Sequence, residues 1–169
     1  MVIDELLDEN AFDPKRLFDS KEFNTLVLNR DGFTNKENQV ADLMTEIVEN
    51  SKQALDTFEA FSKLKALHPA EQMIKILGQS GDEDDLGRLV AICWESGVDF
   101  SHYMTFFSAL VCHPDYAVAM EALTVIEEAE GPFQKGDIEA ALNLATSAST
   151  ANTGLLEDLI SILKNRYNF

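Results

Sequence analysis

Asn29-Arg30-Asp31-Gly32-Phe33-Thr34-Asn35 is the first stretch whose residue types and spacing suggest chemistry. An Asp-Gly-aromatic run between two helical segments is the kind of turn that can wrap a calcium ion. Placing Gly32 at the sixth loop position puts the first ligand position on Val27 and the last on Asn38. A calcium loop needs an oxygen donor at the first position and a bidentate Glu at the last. Val27 offers no side-chain oxygen, and Glu37 stands one residue early. The run reads better as a glycine helix stop followed by a capped helix, Thr34 and Glu37 forming the capping box. Asp82-Glu83-Asp84-Asp85 could collect a cation, but acids at a helix N-terminus are already explained by the helix dipole. His68, His102 and His113 lie far apart, with no partner one helical turn away, so no zinc spacing exists. Cys93 and Cys112 fall in apolar helix and read as buried free thiols rather than as a disulfide framework. No nucleophile–base signature and no glycine-rich phosphate cradle occurs. The expectation is a non-enzymatic protein with no catalytic residues, no metal and no cofactor.

What remains is surface chemistry. The chain carries 30 acids against 13 Lys and Arg, a formal net charge of −17. Nucleic acid is excluded as a partner, because phosphate contacts need a Lys/Arg surface, and anionic membrane surfaces are disfavoured for the same reason. A basic protein partner fits, although high charge also serves solubility alone. The distribution is uneven: no Lys or Arg falls between Arg88 and Lys135, while Glu95, Glu121 and Glu128 fall inside that gap. Helical spacing turns Val118, Ala122, Val125 and Ile126 inward and leaves Glu121, Thr124 and Glu128 on one outer stripe. The preceding helix offers Asp84, Arg88 and Glu95, and a later one Glu157, Ser161 and Lys164. The candidate partner-binding set is therefore Arg88, Glu95, Glu121, Thr124, Glu128, Glu157 and Ser161, receiving a basic segment. Trp94, Phe100, Tyr103, Phe106 and Phe107 crowd together nearby. Such a stripe is usually core, but Trp94 and Tyr103 have polar tips that suit the edge of a groove.

These side chains must be positioned by helices. The chain has 169 residues, 46% of them hydrophobic, enough for one good core and short for two. With only 8 Gly and 4 Pro and few β-branched runs, an all-α single domain is expected. The acidic start MVIDELLDENAFD does not read as a signal peptide, and no apolar run is long enough to span a bilayer, so the cytoplasm is the expected location. Asp13-Pro14 is a good helix start, followed by Leu17, Phe18, Phe23, Leu26 and Val27. The periodicity of Val40, Leu43, Met44, Ile47, Val48, Leu55, Phe58, Phe61 and Leu64 predicts one long helix over about 35–66, stopped by His68-Pro69. Shorter helices follow over 69–79, 82–95, 99 or 101 to 112, 115–130, 137–148 and 153–166. Asp82, Asp115 and Asn152 each open the second helix of a pair, at separations of 33 and 37 residues, within the range of two-helix repeats.

The segment Leu110-Val111-Cys112-His113-Pro114-Asp115 and the helix after it resemble a HEAT or armadillo-type repeat. Asp115 at the turn, then Val118, Ala122, Leu123 and Ile126, follow the order of that motif; residues 81–90 and 152–163 follow it more loosely. The family often has Arg after the Val, where this chain has Ala119, which removes the basis for an inter-repeat charge ladder. The resemblance covers residues 69–169. It implies a right-handed α-α superhelix of about three helical pairs, with the long N-terminal helix packed on the open end of the stack. It also implies an adaptor or scaffold that binds protein. The alternatives are a self-associating module, dimerising through Val40, Leu43, Ile47 and Val48, and a small-molecule binder or enzyme using the groove near Trp94. The oligomeric state and the partner are left open.

Overall fold

The structure, a computed structural model, describes residues 26–80 and 83–167. The expected helix start at Asp13-Pro14, the apolar residues Val2 to Phe23 and the turn at Gly81-Asp82 lie outside the described residues. Among the described residues there are eight α-helices and no strand. They are α1 (Asn35–Lys52), α2 (Phe58–Ala66), α3 (Ala70–Gln79), α4 (Glu83–Glu95), α5 (Met104–Val111), α6 (Tyr116–Glu128), α7 (Lys135–Ser147) and α8 (Thr153–Tyr167), with a 3-10 turn at Ser101–Tyr103.

Two expectations are corrected. Leu26 and Val27 are not consecutive positions of a helix. The backbone over 26–30 has no helical hydrogen bonding; Leu26 and Leu28 are buried while Val27 is 84% exposed, the alternation of an extended chain. Leu26 is held by its own amide, which donates to the Glu49 carboxylate at 2.9 Å. The single long helix is likewise two. α1 ends at Lys52, Gln53 is its C-cap, and Ala54 takes a left-handed φ of 54°. Residues 55–57 are non-helical, and α2 restarts where the Phe58 amide donates to the Asp56 carboxylate. The apolar spacing continues across the break because α2 folds back onto α1 and must present apolar residues to the same core.

The other starts follow local chemistry. Thr34 and Glu37 form the reciprocal capping box of α1, the Glu37 carboxylate accepting from the Thr34 amide at 2.8 Å. Asp115 caps α6 by accepting from the Val118 amide at 3.1 Å. Gly32 has φ +74°, a conformation that favours glycine, but the backbone over 26–30 is not helical, so it turns an extended chain into α1 rather than stopping a helix.

Packing is sequential. α3 lies against α4, α5 against α6 and α7 against α8; α4 also packs on α6, α6 on α8, and α5 on α7. α1 packs across α3 and α4, the first of these pairs. One continuous apolar cluster runs from Val40, Met44 and Ile47 of α1 through Leu89 and Ile92 of α4 and Val118, Ala122 and Ile126 of α6 to Leu159 and Leu163 of α8. At its centre Phe107 is fully buried, edge-on to both Phe100 and Phe106 at 5.3 Å between ring centroids. Val40, Ile47 and Val48 belong to this cluster and are wholly enclosed. The helix seam expected for dimerisation is therefore spent on the chain's own core, and only Leu43 of that set remains partly open.

Candidate protein-docking face

α4 and α6 run side by side in the same direction. A Cβ on Gly87 would stand 3.7 Å from Ala117 Cβ, ordinary contact at the near end. Further along, Trp94 Nε1 donates to the Glu121 carboxylate at 2.7 Å. The acidic stripe and the aromatic edge, two separate surfaces by sequence, are thus one surface. Trp94 is 37% exposed, and its indole forms one wall of a groove of about 390 Å3. Asp99, Glu128 and Glu130 bring carboxylates to that groove, Lys65 brings a cation, and Phe100 and Val125 give it an apolar floor.

The loop between α4 and the 3-10 turn shapes the groove, and buried hydroxyls hold it. Ser96 Oγ donates to the Cys93 carbonyl at 2.8 Å and accepts from the Val98 amide at 3.2 Å. Ser101 Oγ donates to the Asp99 carboxylate and accepts from the Gly131 amide at 3.0 Å, tying the loop after α6 to the 3-10 turn that opens the α5–α6 pair. Gly97 turns the loop with φ +65°. Buried hydroxyls without partners would be costly, so this pairing makes the groove wall a fixed feature.

Glu95 sits at the edge of the same surface. Burial pushes its carboxyl above the ordinary glutamate range, the Arg88 guanidinium opposes that shift, and the Glu121 carboxylate adds to it. Arg88, Glu95 and Glu121 are thus electrically coupled, as one face requires. Thr124 is partly exposed but turns its hydroxyl back to the Met120 carbonyl at 3.1 Å. Glu157 and Ser161 are exposed on α8, and no hydrogen bond, ion pair or groove among the described residues joins them to Trp94. Tyr103 is also elsewhere: it stacks edge-on against Phe100 at 6.3 Å, and burial, then the Glu71 carboxylate on α3, raise its phenol pKa. It does not line the Trp94 groove.

Several residues of this surface carry no sequence signal as site residues. Lys65, Asp99 and Glu130 reach the groove from three different segments. Phe58 counts as an ordinary core position in a single long helix but is 76% exposed beside Glu95 and Lys65. The one available clue is Asp56-Thr57, a good helix start inside the expected helix.

Other candidate chemistry is absorbed by structure. Asp85 of the acidic run pairs with Lys52 at 3.7 Å, joining the end of α1 to the start of α4. In the 29–35 loop, Asn29 accepts from the Asp31 amide and Arg30 pairs with Asp42 at 2.6 Å. No cluster of three or more His, Cys, Asp or Glu able to hold a metal occurs among the described residues. Cys93 is a buried thiol pushed above its ordinary pKa by burial, and Cys112 is a partly buried one. No described helix is long and apolar enough to cross a membrane. No family model matches the chain, and no curated protein or solved structure matches it.

Proposed function

We propose that this protein is a non-enzymatic interaction module that receives a basic segment of a protein partner on the α4–α6 face. The carrying observation is the bond between Trp94 and Glu121 at the mouth of a groove rimmed by Asp99, Glu128 and Glu130. An indole face beside carboxylates suits a cationic side chain, by cation–π attraction and by ion pairing. The acidic balance of the whole chain would speed the approach of such a partner. The architecture we propose is a right-handed HEAT- or armadillo-like superhelix. Supporting it are the pairing of consecutive helices and the run of second helices α4, α6 and α8 along one side. Nothing favours a role for Glu157 and Ser161 in the same contact.

The test uses a fluorescein-labelled arginine-rich peptide, read by anisotropy, with Trp94 emission as a second readout, since it is the only tryptophan. Wild type is expected to bind, and Glu121→Lys/Glu128→Lys to weaken binding at least about tenfold. Glu46→Lys/Glu139→Lys, an equal charge change at exposed sites on α1 and α7, is expected to bind like wild type. Equal losses in both variants would reduce the attraction to net charge and sink the docking face.

A further inference from the structure

The groove beside Trp94 continues past Lys65. A second hollow of about 390 Å3 opens on the other side of that side chain, lined among others by Phe58, Phe61, Ser62, Glu95 and Ser96. Lys65 lines both hollows. Its Nζ lies 3.2 Å from where a Cβ on Gly97 would stand, so the ammonium passes close over the bare backbone of Gly97. Phe58 at 76% exposure is a large apolar surface left open on one side of Lys65, and the carboxylates Asp99, Glu128 and Glu130 lie on the other.

We propose that the two hollows form one recognition groove for a peptide in which an apolar side chain stands within a few residues of an arginine. This rests on reading the α4–α6 face as a basic-segment site and adds the rule by which segments are chosen. The apolar side chain covers Phe58 and Phe61. The guanidinium lies against Trp94, among the carboxylates. Arginine fits this second seat better than lysine, because a planar guanidinium can stack on an indole and pair with a carboxylate at once. Charge alone would make a poor selector on this surface, since exposed ion pairs are weak and screened by salt. The apolar seat supplies attraction that salt does not screen, and it distinguishes an arginine segment with a neighbouring apolar side chain from one without. Lys65 separates the seats: its ammonium repels an arginine from the Phe58 side and so sets the register of the peptide.

The experiment compares labelled peptides Phe-X-Arg, Phe-X-X-Arg and Phe-X-X-X-Arg, embedded in Gly/Ser, with the same peptides carrying Ser for Phe. In wild type at least one Phe peptide is expected to bind about tenfold tighter than its Ser counterpart, the usual size of an aromatic anchor. The advantage is expected to vanish in Phe58→Ser, an exposed site where folding is checked by circular dichroism. Lys65→Met is expected to tighten the arginine peptides about threefold, from loss of one like charge a few ångströms away. Equal binding of every Phe and Ser pair by wild type would overturn the two-seat groove while leaving the basic-segment reading intact. A Phe advantage that survives Phe58→Ser would overturn it too, by placing the anchor elsewhere. Absence of binding by any arginine peptide would overturn both readings.

Discussion

Glu95 is the residue whose ionisation most directly reports the electrostatics of the face. Its carboxyl is held above the ordinary range by burial and by Glu121, against the pull of Arg88. Below the ordinary glutamate range it is neutral in both the folded and the unfolded chain. As pH rises the unfolded chain releases this proton first, so the stability this group contributes at low pH is lost as pH passes the raised folded value. Glu95→Gln is therefore expected to be more stable than wild type at neutral pH, with the two converging at acid pH. Thermal unfolding measured across that range checks this; a variant less stable at neutral pH would mean that Arg88, not burial, governs the site. The opposite sign holds for Glu37, whose pKa is lowered by Lys75 first and then by the Thr34 amide, so its contribution is present at neutral pH and lost in acid. One glutamate fastens a helix to its neighbours, and the other is kept uneasy at the edge of a groove.

At the scale of elements, the break between α1 and α2 matters most. A continuous helix over 35–66 would carry Phe58 away from α4; the fold-back lets α2 bring Phe58, Phe61 and Lys65 beside Glu95. The turn is made without glycine. Ala54 occupies the left-handed region at φ 54° and is exposed, so its Cβ is strained where glycine would not be. Ala54→Gly removes that strain, roughly 1–2 kcal/mol, at a cost of about 0.5–1 kcal/mol in chain entropy. A small net gain is expected, seen as a higher midpoint in urea with an unchanged slope. A lower midpoint would show that rigidity at Ala54, rather than relief of strain, is what holds the fold-back. The loop 96–101 is the complementary element: its hydroxyl bonds fix the groove wall, so peptide binding should leave that backbone in place.

At the scale of the molecule, the apolar seam of α1 is internal and the remaining exposed apolar groups among the described residues are scattered. Phe58 belongs to the proposed groove, while Tyr116 and Met120 form a separate pair one helical turn apart on α6. A monomer is therefore expected in the absence of a partner, and light scattering should return 18.8 kDa. Twice that mass would point to pairing through α6 or through Leu43, since Val40, Ile47 and Val48 are out of reach without unfolding α1.

Much of this molecule was determined by local sequence alone. Helices α3 to α8 and the start of α1 follow from apolar periodicity and from caps at Thr34 and Asp115, because these depend on neighbours within a turn or two. The inward set Val118, Ala122, Val125 and Ile126 was legible for the same reason. The break after Lys52 was not, since both helices serve one core and keep one pattern across it. Nor could the sequence say that Trp94 meets Glu121, that Tyr103 lies away from both, or that Lys65 reaches Gly97. Those facts are set by how helices stack and by which long side chains meet across them. Periodicity tells which face of a helix is buried; only tertiary packing decides what the other face stands beside.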